Sequence, residues 1–438
     1  MKATDFQETT ETKLKRIAWL SASDEQKVFN NLMHLVNEES LTASFDALDR
    51  KKAVGIDGVD KDEYGKQLEA NLKTLVNKLK SMSYRPGSIR RVLIPKEGKP
   101  GATRPLGISN FEDKLFQKVM QTILESIYEP LFLDCSFGFR PGRGCHDAVR
   151  KLRQYTLDND VETIIDLDLA KYFETIDHKM LINILEEKIS DKRVIRYITR
   201  MLKAGILSKG ELILSDEGTA QGNICSPTLS NIFAHHVIDK WFEETVKRHC
   251  RGKVELFRYC DDAVICCQYA SDAVRVKKAL IGRLEKYKLK LSEEKTKMVS
   301  FSKFKFAQGN KQESFDFLGF TFYWGYSRNN KPLPKVKSSG KRMRSKLKIV
   351  NGWAKAVRNK YRLQEVWERF CTKVEGHIRY YGVSFNMCGL KRFIYSAISI
   401  IFKWLNRRSQ KRSFTWEKFL QFMQEFPPPK MRIWHSLF

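Results

Sequence analysis

Residues 256–268 read LFRYCDDAVICCQ, two short apolar runs with a pair of acids between them. The aromatic and β-branched content of 256–258 and 263–267 suits strands, joined at Cys260-Asp261-Asp262. Acids at such a joint are often simple turn formers. Here Tyr259 and apolar residues flank them, without the Gly or Asn that a tight turn prefers. A second acidic stretch, 163–169 (TIIDLDL), alternates with period two. That period puts Asp166 and Asp168 on one face and Ile165, Leu167 and Leu169 on the other. The apolar face would pack on helices, leaving the carboxylates on the open face of a sheet. Carboxylates from two strands can converge on hard cations, and a pair of such ions can hold the attacking and leaving oxygens of a phosphoryl displacement.

Working outward, residues 24–82 read as helices broken by the turn-like segment 55–58 (GIDG). Residues 90–95 (RRVLIP) read as a strand before a Gly/Pro-rich loop. Leu115, Val119, Ile123 and Ile127 form a helical stripe. A helix is expected from about residue 179, a third strand over 315–324, and mainly helices after about 331. Length alone calls for two or three domains.

The 438 residues carry a formal charge of +28. Residues 326–438 hold 26 Lys/Arg against 5 Asp/Glu, a net of +21, whereas the first 325 hold 53 against 46, a net of only +7. Such an excess would self-repel without a counter-polyanion, so nucleic acid is the expected partner of this segment. Nine cysteines include no CxxC pair, which excludes a disulfide framework or a zinc module of that type and suits a reducing compartment. Cys266 and Cys267 should pack as small hydrophobes. Residues 1–16 lack an apolar signal core, and the longest apolar stretch, 393–405, is too short to span a bilayer. A cytoplasmic, bacterial-type protein with no membrane role is expected.

Tyr259-Cys260-Asp261-Asp262 resembles the YxDD box of reverse transcriptases, and Asp168 followed five residues later by Phe173 resembles their first palm motif. Residues 136–143 (SFGFRPGR) resemble the signature of group II intron reverse transcriptases, and 220–227 (AQGNICSP) their PQG…SP loop. Residues 104–108, 289–295 and 317–320 fall in the same family order. The tail, through Arg407-Arg408 to Trp434-His435-Ser436, resembles the thumb and maturase region. This resemblance implies an α+β right-hand polymerase, with fingers and palm (mixed sheet plus helices) followed by a helical thumb. Its expected divisions are an N-terminal extension and helical fingers part over 1–90, fingers and palm over 91–325, and a basic helical thumb/maturase domain over 326–438.

The resemblance further implies that Asp168, Asp261 and Asp262 are the catalytic carboxylates and hold two Mg²⁺ ions, with Mn²⁺ as a substitute. Asp166, one pleat back, is the weaker candidate. Lys96 and Arg104 match triphosphate-clamping positions, and Gln221 would lie against the incoming nucleotide. Phe173 matches the ring that clashes with a ribose 2′-hydroxyl. Lys295 matches a residue proposed to protonate pyrophosphate. Residues 317–320 would position the primer end. Arg140, Arg143, Arg407 and Arg408 would track nucleic-acid phosphates. Expected partners are an RNA template, a DNA primer, dNTPs and a structured intron RNA. Ala220, Asn223-Ile224-Cys225 and Cys260 depart from the commoner family residues, and no HNH nuclease module is expected. The alternative biology is a stand-alone, intron-derived enzyme of DNA repair or phage defence.

Overall fold

The computed structural model describes residues 8–95, 103–208, 211–213, 216–218, 222–408 and 415–438. In chain order the strands are β1 (Ile89–Pro95), β2 (Thr103–Ile108), β3 (Thr163–Asp168) and β4 (Ile206–Ser208). Then come β5 (Glu211–Ile213), β6 (Val254–Tyr259), β7 (Asp262–Cys267) and β8 (Lys297–Ser300). The last are β9 (Phe315–Phe317), β10 (Phe320–Tyr326) and β11 (Pro332–Ser338). Among the described residues they make three sheets, ordered β2-β1-β4-β5, β6-β7-β3-β8 and β11-β10-β9.

The middle sheet carries the acids. It is antiparallel throughout, and β3 lies between β7 and β8. The alternation read in 163–169 holds. Ile165 and Leu167 enter one core with Leu115, Ile176 and Leu229, on the side covered by helices. Ile164 and, on the paired strand, Val264 and Cys266 face a second core with Phe315, Phe320 and Phe322. The carboxylates share this second face, which is therefore only partly open. The adjacent thiols of Cys266 and Cys267 are fully buried, as expected for small apolar side chains.

The predicted helical stripe is the buried face of helix Phe111–Tyr128. Leu115, Val119, Ile123 and Ile127 are at most 3% exposed. Helix Glu38–Ala47 starts at a capping box formed by Asn37 and Ser40. Ile17, Leu41 and Leu75 share one core with Leu115 and Ile165, so residues 8–90 are not packed as a separate unit. The expected division at 90/91 cuts β1 itself.

Two further expectations need correction. Residues 315–324 are not one strand: Leu318 (φ 49°) and Gly319 (φ 80°) turn the chain back between β9 and β10. The division at 325/326 falls inside the β10–β11 hairpin, in which Phe322 faces Val336. Two prolines and two lysines hide β11 in a basic segment, but Pro334 is tolerated because β11 is an edge strand. The helical part of the tail begins at helix Gly340–Val357 and continues with Leu363–Tyr381, Met387–Leu405 and Trp416–Glu425. These helices close a third core around Trp367, Phe370, Ile401 and Phe419. Most tail aromatics are packing residues.

Candidate active site

Register places the acids. Asp168 at the end of β3 stands directly opposite Asp262 at the start of β7. Tyr259 pairs with Asp262, leaving Cys260-Asp261 as a two-residue hairpin loop. The turn is therefore tight despite lacking Gly or Asn, and Cys260 adopts φ 58° to close it. Gly138 makes the close approach possible: a Cβ there would lie 2.3 Å from Cys260 Sγ and 2.7 Å from its backbone nitrogen.

Like charges directly opposed across strands repel. Burial, then the charges of Asp261 and Asp168, push the Asp262 carboxyl up to about 6. Asp262 is exposed to the cleft, and the cleft walls crowd around it. Burial and the Asp168 charge also raise Asp261. Asp166 is pushed up to about 7 by burial, then by Asp262, Asp316 and Asp168. Lys295 Nζ bonds Asp168 Oδ1 at 2.6 Å, so an ammonium already answers part of the negative charge. Among the described residues the acids are not drawn into a closed metal polyhedron as they stand. The donor set is nevertheless all carboxylate oxygen and under mutual repulsion, which fits a hard divalent cation.

Asp168, Asp261 and Asp262 line a cleft of about 1110 Å³, and Asp166 does not. Arg104 lines it from β2 and Phe173 from helix Tyr172–Thr175, Leu318 and Gly319 from the β9–β10 turn, and Arg342, Lys346 and Lys373 from helices Gly340–Val357 and Leu363–Tyr381. An anionic floor thus faces a cationic wall. Phe173 sits in the short helix Tyr172–Thr175, held edge-on to Tyr172 at 5.5 Å, and Tyr172 is anchored through its hydroxyl to the Ser230 carbonyl at 2.7 Å. Phe317 and Phe320 are buried, so the cleft-facing residues of that motif are Leu318 and Gly319.

Lys96 and Gln221 lie outside the described residues. The chain on either side of 219–221 is anchored. His178 Nε2 bonds the Gly218 carbonyl at 2.6 Å. Gly222 (φ 109°) lies so close to the Gly107 carbonyl that a Cβ would be 2.3 Å from its oxygen.

The four arginines expected on phosphates do not behave alike. Arg140 is 7% exposed and spends its guanidinium on Glu129 and the carbonyls of Phe132, Leu133 and Ser136. It braces its own loop, and the phosphate-tracking assignment is withdrawn. Arg143 is half-buried and paired with Asp134 at 2.7 Å. Arg407 is exposed over Trp404, and Arg408 donates to the Tyr361 carbonyl at 2.9 Å. Neither lines the cleft. The tail cations that do, Arg342, Lys346 and Lys373, match none of the motifs. The helical spacing of Arg342 and Lys346 was the available signal.

A family model described as reverse transcriptase (RNA-dependent DNA polymerase) matches residues 94–322. The chain belongs to the reverse transcriptase family. It is similar to the group II intron-encoded protein LtrA of Lactococcus lactis, 35% identical over 229 residues, 52% of this chain and 38% of LtrA. Protein YkfC of Escherichia coli is 31% identical over 323 residues, 65% of this chain and 83% of YkfC. The mitochondrial nuclear intron maturase 2 of Arabidopsis thaliana is 27% identical over 149 residues, 34% of this chain and 19% of that protein. The match to LtrA thus spans well under half of that relative's own length. Among the described residues no helix is long and apolar enough to cross a membrane.

Proposed function

We propose that this chain is an RNA-directed DNA polymerase that extends a DNA primer on an RNA template by nucleotidyl transfer from dNTPs. The observation that carries this reading is the Asp168–Asp262 pairing, with Asp261 in the adjoining turn, at the floor of a cleft walled by cations. In the reaction the primer 3′-oxygen bonds the α-phosphorus, the bond to the bridging oxygen breaks, and pyrophosphate leaves. Two Mg²⁺ ions, with Mn²⁺ as a substitute, would neutralise the attacking and leaving oxygens.

Asp168, Asp261 and Asp262 would hold those ions. Arg104 and Lys96 would face the triphosphate, and Gln221 the nucleotide. Lys295, bonded to Asp168, would deliver a proton to the departing pyrophosphate. The Phe173 ring lines the cleft and would clash with a 2′-hydroxyl, favouring dNTPs by exclusion. The basic thumb would hold the duplex through Arg342, Lys346 and Lys373, and its remaining charge suits a structured intron RNA. The names of LtrA and the intron maturase agree with that partner.

The test is extension of a DNA primer on an RNA template. Mg²⁺ or Mn²⁺ should sustain extension and EDTA abolish it. Equal extension in EDTA would refute the reading.

A further inference from the structure

Arg258 immediately precedes the Tyr259-Cys260-Asp261-Asp262 turn and is fully buried. Arginine has five N–H donors in a fixed fork, and here each meets an acceptor. Nε and Nη2 donate to the two Asp239 carboxylate oxygens at 2.7 and 2.6 Å. Nη2 also donates to Ser136 Oγ at 2.8 Å. Nη1 donates to Asn231 Oδ1 at 3.1 Å and to the Cys260 carbonyl at 3.2 Å. Asn231 passes the connection on, donating from Nδ2 to the Gly138 carbonyl at 2.6 Å. Backbone bonds between Arg258 and both Cys135 and Phe137 stitch that loop to the edge of β6.

Buried arginine–aspartate pairs are often no more stabilising than apolar packing of the same volume. An apolar pair could fill this space. It could not grip the Cys260 carbonyl or orient Asn231. That grip falls on the one residue of the turn forced into a left-handed conformation, which needs restraint from its surroundings.

We infer that Arg258 is a positioning residue: its guanidinium, locked by Asp239 and Asn231, holds the Cys260 carbonyl and so sets where Asp261 and Asp262 stand relative to Asp168. The inference rests on the polymerase reading, because it takes those carboxylates to be metal ligands. Side chains that orient metal ligands from behind typically change metal affinity or activity 10- to 100-fold when replaced. Arg258→Lys keeps the charge opposite Asp239 but loses the fork. Asn231→Ala leaves the ion pair intact and removes one brace.

The experiment titrates the metal-free chain with Mn²⁺ alone, reading free Mn²⁺ by electron paramagnetic resonance, alongside melting temperature and primer extension. Asp261→Ala serves as the reference lacking a ligand. Both positioning variants should weaken Mn²⁺ binding roughly tenfold and lower kcat at least as much. RNA affinity and the KM for dNTP should stay within threefold. Mg²⁺ half-saturation in the extension assay should rise in parallel. If Arg258→Lys does not fold, Asn231→Ala decides the matter alone. A folded Asn231→Ala with wild-type Mn²⁺ affinity and kcat would overturn the role of Arg258 while leaving the polymerase reading in place. Mn²⁺ affinity in Asp261→Ala equal to that of the unsubstituted chain would overturn both.

Discussion

Gly138→Ala should cost this protein both stability and catalytic rate, although the substitution is conformationally easy. The φ of Gly138 lies outside the left-handed region, so alanine can adopt its backbone. By unfolded-state entropy alone the change would add about 0.4–1 kcal/mol of stability. The added Cβ, however, would sit 2.3 Å from Cys260 Sγ, 2.7 Å from the Cys260 nitrogen and 3.2 Å from the Tyr259 carbonyl carbon. Non-bonded contacts of this kind need about 3.5 Å, so backbone relief alone requires a retreat of roughly 0.8 Å. Overpacking of this sort costs about 1–3 kcal/mol. The displaced element is the turn that carries Asp261, and a misplacement of about 1 Å can cost 10²-fold in rate. Single-turnover extension at saturating dNTP, with a melting curve, reads both effects. Adding Cys260→Ala should recover only part of the loss, because it removes the sulfur and leaves the backbone nitrogen in place. Gly138→Ala with a rate within threefold of wild type and an unchanged melting temperature would refute the reasoning.

Phe173→Ala should raise the ratio of kcat/KM for ribonucleotides to that for dNTPs, since the ring lining the cleft is removed; an unchanged ratio in a folded variant would make Phe173 a packing residue only. The triple variant Arg342→Ala, Lys346→Ala, Lys373→Ala should flatten the slope of log K against log salt for primer–template binding by about 2–3, at roughly 0.7–0.9 per lost phosphate contact. His377 is 8% exposed, stacked on Phe393 at 3.4 Å, and held down to about 3 by burial and then by Lys346. A histidine whose folded pKa is depressed contributes its full stability above its unfolded pKa of about 6.5 and loses it as pH falls toward the folded value. Between pH 7 and 5 that loss is about 2 kcal/mol. The gap in urea-unfolding free energy between wild type and His377→Phe should change by that amount over this range, wild type being the one that weakens with acid.

The acidic strands were legible because alternation and register are local: once 163–169 and 256–268 are strands of one sheet, the carboxylates fall on one face. What pattern reading could not reach is which cations are spent internally. Arg140 and Arg143 stand three residues apart in one motif, yet only the fold shows Arg140 bound to carbonyls of its own loop. Arg258 reads as a polar interruption in an apolar strand. Its partner Asp239 lies 19 residues earlier, in a π-helical turn, His235–Asp239, that no periodicity announces. The β11 strand was missed for a different reason, its prolines and lysines imitating the solvated tail they precede. In each case the deciding fact is a particular contact in the fold, which residue pattern does not encode.

The central claim is that the Asp168, Asp261 and Asp262 carboxylates act on metal and chemistry while contributing nothing attractive to phosphates. Single-turnover cDNA synthesis and RNA affinity should therefore be measured together on Asp168→Asn and Asp261→Ala, with one primed RNA template and Mg²⁺. The account predicts loss of extension in both variants with RNA affinity close to that of the unsubstituted chain. Extension within tenfold of the unsubstituted chain in either variant would contradict it.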